Sequence, residues 1–116
     1  MGEERMPAME KKSLNQPEEI NKPEKLKMEA VTIRGLTIRR VTTEPGWQWS
    51  KHVKPIQKTK SCKKDHILDV ISGRGGVRMD DGKEEESGPG DVGSIPPGHD
   101  GWTIGNQPVV WIEISH

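Results

Sequence analysis

Turn chemistry sets the scale of structure in this chain. From Ala30 to the C-terminus, segments rich in Val, Ile and Thr are cut repeatedly by Gly35, Glu44-Pro45-Gly46, Gly73, Asp81-Gly82, Gly88-Pro89-Gly90-Asp91, Pro96-Pro97-Gly98 and Asn106-Gln107-Pro108. Proline removes a backbone donor and fixes φ, and glycine supplies φ values that other residues resist, so each cluster ends an element. What remains between them reads as strands of roughly four to six residues at roughly ten-residue spacing, with no internal helix. That pattern predicts an all-β sandwich or barrel, and closure would protect the edges of so weakly hydrophobic a sheet.

Alternation along the segments places side chains on faces. Val31 and Ile33 alternate with Thr32 and Arg34, and the pattern resumes out of phase on Leu36 and Ile38, which predicts a bulge or tight bend at Gly35. Trp47 and Trp49 share a face if their segment is extended, either as core filler or as the lining of a ligand cavity. His66 to Ser72 reads as a strand ending at Gly73, Asp81-Gly82 as a hairpin tip, and Glu84 to Glu86 as a polar return strand. Val92 to Ile95, Trp102 to Ile104 and Val109 to Ile114 complete the set. Residues 1–29 carry scattered apolar positions among Glu, Lys and Pro, and read as a charged tail, leaving residues 30–116 as the domain.

Composition narrows the function classes. Only 29% of the 116 residues are hydrophobic, Phe and Tyr are absent, and four Trp must fill much of the core. A chain without Tyr has no phenol to use as general acid or ligand. Eighteen basic and eighteen acidic residues cancel, so no basic footprint points to nucleic acid. One cysteine excludes an internal disulfide, and no apolar run approaches the roughly 18 residues of a membrane span. The opening MGEERMPAMEKK has no signal-peptide character, so the chain reads as soluble and cytoplasmic.

At Gly90-Asp91-Val92-Gly93-Ser94-Ile95-Pro96-Pro97-Gly98 the sequence meets the spacing G-x5-P-x-G, and Ser72-Gly73-Arg74 is similar to the turn that closes a preceding E-x6-G motif. On these residues the stretch from Gly46 to about Ile114 resembles a small single-domain cupin of the RmlC-like type, and it is similar to a subgroup with GW-x-WS, SC-x3-H and PPGHD-x-W motifs. The resemblance implies a jelly-roll barrel whose open end holds a small ligand or a metal. It also implies where metal ligands belong, and those positions here carry Lys60, Cys62, His66 and Gly101. The usual three-His, one-Glu set for Fe or Mn is therefore lost, and an ammonium at Lys60 repels a cation. The Cys-Tyr and His-Tyr constellations of related enzymes cannot be assembled without Tyr, so catalytic residues stay unassigned.

Cys62, His66 and His99, with His52 as a fourth donor, form a soft-to-borderline set for a divalent transition metal such as Zn, Ni, Cu or Fe. Lys63 and Lys64 would lower the Cys62 thiol pKa if they lie near it, while burial as a small hydrophobe is the plainer role for that cysteine. Arg74 and Arg78 face either the cavity, to grip an anion, or water. His99-Asp100 as a base with its orienter is disfavoured in an extended segment, where neighbours point apart. The functional expectation is a barrel mouth lined by Trp47, Trp49, Cys62, His66, His99 and Trp102 that binds a small polar or anionic molecule. The alternative is a structural or regulatory homodimer, with residues 30–41 as the pairing segment and no catalytic activity.

Overall fold

The computed structural model describes residues 8–62 and 65–115. Nine strands and two short helices follow one another as β1 (Glu19–Asn21), β2 (Leu26–Ile33), β3 (Leu36–Thr43), α1 (Trp49–His52), α2 (Lys54–Gln57), β4 (His66–Ser72), β5 (Arg74–Met79), β6 (Glu84–Ser87), β7 (Val92–Ile95), β8 (His99–Ile104) and β9 (Val109–Ser115). They build a six-stranded sheet in the order β1-β2-β3-β9-β4-β7 and a three-stranded sheet in the order β6-β5-β8, with every pairing antiparallel. The two sheets are linked where the Thr103 hydroxyl on β8 donates to the Thr43 hydroxyl on β3 at 2.8 Å.

Each strand follows from its alternation. On β8 the buried positions are His99, Gly101 and Thr103, one pleat apart, and the intervening residues are half-exposed. In β9, Val109 is 2% exposed and Glu113 8% exposed, so this central strand turns one carboxylate into the interior. The Thr43 and Val109 side chains, fully buried and paired in register, sit where β3 meets β9.

Three features differ from the sequence reading, and one open choice is resolved. Of the bulge and the tight bend expected at Gly35, the structure has the bend: Arg34 and Gly35 have φ of 49° and 80° and form a two-residue turn that pairs Ile33 with Leu36. Two positive φ values match the right-handed twist of a hairpin, and the return strand then restarts the alternation out of phase. The segment after Trp47 is not extended, because α1 and α2 supply two single helical turns of four residues each. Such turns are too short to leave a 3.6-residue stripe, and Pro55 in the first turn of α2 suits a helix start. Strand structure also reaches N-terminal of Ala30: β2 begins at Leu26, and β1 adds a short exposed edge strand. Finally, β8 opens at His99, ahead of the Trp102 at which that strand was expected to begin.

Elsewhere the expected punctuation holds. Gly73, at φ 77°, turns β4 into β5 with its α-carbon packed so tightly on Pro108 that a Cβ would lie 2.2 Å from the Pro108 carbonyl oxygen. The Asp81-Gly82 tip joins β5 to the exposed β6. No helix among the described residues is long and apolar enough to cross a membrane.

Candidate metal centre and ligand cavity

Three strands and one loop converge on a single cluster. β4 starts at His66, and since Leu68 pairs with Glu113 on β9, His66 lies one pleat along the same face from Glu113's partner. The result is a 2.8 Å contact in which His66 Nδ1–H donates to Glu113 Oε1. The Trp111 indole N–H donates to the same oxygen at 2.8 Å. Cys62 enters from the loop ahead of β4, held against β8 by its N–H donating to the His99 carbonyl at 2.8 Å and by Gly98 N–H donating to its own carbonyl at 2.7 Å.

This backbone clamp brings the side chains together. Cys62 Sγ lies 3.7 Å from His66 Nε2, and the His66 and His99 rings meet edge to face with centroids 5.1 Å apart. His99 Nδ1 is 2.8 Å from the Pro96 carbonyl. A carbonyl only accepts, so Nδ1–H donates to it, and Nε2 is the ring nitrogen left for another partner. The ligand atoms of Cys62, His66 and His99 all lie within 4.8 Å of one another.

Electrostatics around His66 are strongly biased. Burial alone would push its imidazole down, but the hydrogen bonds to Cys62 and Glu113, reinforced by their charge, outweigh it and hold the pKa up at about 9. The two buried partners on either side thus favour an imidazolium when no metal is bound.

The six residues expected at the barrel mouth, Trp47, Trp49, Cys62, His66, His99 and Trp102, all border one cavity of about 160 Å³. Trp102 borders this cavity from the other face of β8: its ring covers Gly76, where a Cβ would come within 2.4 Å of it, and the Arg78 guanidinium lies 5.9 Å from its centroid. Trp47 packs with Trp49 and Cys62, and its buried indole N–H has no hydrogen-bond partner among the described residues. At Gly101, where the cupin pattern has a histidine, the Trp47 ring stands 3.9 Å from where a Cβ would sit. His99, one pleat earlier on the same buried face, brings an imidazole into the cavity instead.

His52 is not part of the cluster. Its Nδ1 is 3.1 Å from the Gln48 backbone N and its Nε2 3.9 Å from Glu24, because α1 turns the side chain away. Asp100 does not orient His99: its carboxylate accepts from Ser50 N–H at 3.0 Å and from Gln48 Nε2 at 2.9 Å, fixing the start of α1. Arg74 and Arg78 face water, paired with Glu86 at 3.4 Å and Glu84 at 2.8 Å. Lys60 is exposed, and the proposed influence of Lys63 and Lys64 on Cys62 falls outside the described residues. The reading missed Glu113 and Trp111. The signal was present in Val109-Val110-Trp111-Ile112-Glu113-Ile114, where a lone carboxylate two residues from a Trp interrupts an otherwise apolar strand.

No protein-family profile matches the sequence. No curated protein matches it either. Solved structures do. The polyketide cyclase RemF from Streptomyces resistomycificus is 16% identical with a TM-score of 0.66, the match covering 92% of this chain and 78% of that one. Oxalate decarboxylase from Bacillus subtilis is 25% identical with a TM-score of 0.60 over 87% of this chain, which spans only 28% of that enzyme's length. A cupin-like protein from Thermotoga maritima is 22% identical with a TM-score of 0.55, covering 78% and 67% of the two chains. The chain therefore has the all-β jelly-roll fold of the cupins, as its sequence motifs implied.

Proposed function

We propose that this cupin binds a small molecule in its cavity at a metal held by Cys62, His66 and His99. The observation that carries the reading is one distance. A tetrahedral metal with a thiolate at about 2.3 Å and an imidazole at about 2.0 Å places those two atoms about 3.5 Å apart. Cys62 Sγ and His66 Nε2 are 3.7 Å apart. Three protein donors leave a fourth position for a ligand, as in catalytic rather than structural zinc sites.

The donor set of one thiolate and two imidazoles suits Zn best, with Ni, Cu or Fe as competitors. When bound, such a metal would supply a Lewis acid inside the cavity. The chain's own groups prepare the site. Glu113 and the Pro96 carbonyl each accept a hydrogen bond from an Nδ1–H, which orients the two rings and sets His66 Nε2 against the thiol. The surrounding tryptophans give the cavity an apolar wall, and lower polarity there strengthens the electrostatic contacts inside.

Elemental analysis of untagged protein tests this. We expect about one equivalent of transition metal, lost from Cys62→Ala and from His66→Ala while both variants keep the wild-type far-ultraviolet dichroism. A folded wild-type protein that takes up no zinc from an excess would overturn it.

One observation favours the second reading, a homodimer without chemistry. The outer face of the large sheet exposes Ile67, Ile71, Val92 and Ile114 to between 51% and 73%. A chain of zero net charge has no long-range repulsion to keep two copies of such a face apart. The exposed residues lie on β4, β7 and β9, not in the segment 30–41 expected to pair. Sedimentation velocity of wild type and Ile67→Lys tests it: a dimer that the variant abolishes supports pairing through this face.

A further inference from the structure

The cavity around the Cys62 cluster also limits what can enter it, an inference that rests on the metal reading above. All four tryptophans of the chain, Trp47, Trp49, Trp102 and Trp111, border it. Met28, Val41, Val70 and Val109 supply aliphatic wall between them. No Lys or Arg is among its described lining residues, and its one carboxylate, Glu113, already answers His66. A dianion or a phosphate would therefore lose its hydration with only the metal to replace it. A volume of about 160 Å³ is close to the roughly 150 Å³ of cavities that enclose one benzene ring.

We infer that the ligand is a single aromatic ring bearing one acidic heteroatom, a phenol or thiophenol, with the ring among the tryptophans and the heteroatom toward Cys62, His66 and His99. This narrows the polar or anionic molecule expected from sequence to one whose polarity is confined to a single atom. Ring-on-indole contacts add about 0.5–1.5 kcal/mol each beyond area burial, so two of them give roughly tenfold selectivity over a saturated ring of the same size.

The test is calorimetric titration of the full-length, zinc-loaded protein with phenol, cyclohexanol and oxalate, with zinc content measured on the same sample. Phenol binding at least about tenfold tighter than both competitors supports the inference. Cyclohexanol or oxalate equalling phenol on zinc-replete protein overturns the ligand class and leaves the metal reading standing. If the protein holds no zinc, the metal reading fails. Ring selectivity is then read from toluene against methylcyclohexane on the metal-free protein, where a tenfold preference supports an aromatic pocket and equal binding overturns it.

Discussion

Replacing Glu113 by Gln keeps the side chain's shape and removes its charge, which makes it a direct probe of the cluster. The rise of the His66 pKa from 6.5 to about 9 is worth about 3 kcal/mol of preferential interaction with the charged imidazole. Burial opposes that rise, so it comes from Cys62 and Glu113, each acting through both a hydrogen bond and its charge. Assigning Glu113 about half, and allowing for solvent screening at a site that is not fully enclosed, leaves about 1–2 kcal/mol. Because the folded state holds the proton more tightly than the unfolded chain, this stabilisation is complete below 6.5 and disappears as the pH climbs through about 9. Urea unfolding of metal-free protein should therefore show Glu113→Gln destabilised by about 1–2 kcal/mol near about pH 6 and by little near about pH 10. The His66 ring-proton NMR titration should shift toward neutrality in the same variant. A titration midpoint that stays in place, or an equal loss of stability at both pH values, refutes the argument that the carboxylate holds the imidazolium.

Three further outcomes are expected. Gly76→Ala drives a Cβ to within 2.4 Å of Trp102 and should cost about 1–3 kcal/mol by thermal unfolding. Gly73→Ala combines a φ of 77° with a backbone clash at 2.2 Å, so it should cost at least about 2 kcal/mol in chemical denaturation, more than Gly90→Ala, whose Cβ meets nothing. The Glu29 carboxyl, buried beside Arg40 at 3.0 Å, is held below its ordinary pKa chiefly by that hydrogen bond, against the opposing effect of burial. Its stabilisation is present above 4.5 and lost as the pH falls through the lowered value, so Glu29→Gln should cost at most about 1 kcal/mol at neutral pH and nothing in strong acid, as read from acid unfolding curves.

The strands were legible because two independent signals agree on them: side-chain alternation fixes their faces, and glycine or proline fixes their ends. Where only one signal operated, the reading slipped. Gly35 marked a change of phase, but phase alone does not separate a bulge from a two-residue hairpin; the positive φ of Arg34 does. α1 and α2 are single turns, too short for a helical period to repeat and reveal them. Cys62, His66 and His99 were legible as donors by chemistry, yet His52 looked equivalent, since only the helical turn after Gln48 shows that it points elsewhere. Glu113 was missed because its role depends on which strand lies beside β9. The pairing of Leu68 with Glu113 is a long-range register that no local pattern encodes.

With Phe and Tyr absent and every Trp bordering one chamber, the molecule carries an optical probe that it cannot switch off. All of its near-ultraviolet emission originates at the walls of that chamber. Anything entering, including a quenching ion such as Cu²⁺ or Ni²⁺, must alter the intensity or colour of the light, so occupancy can be followed on the unlabelled wild-type chain.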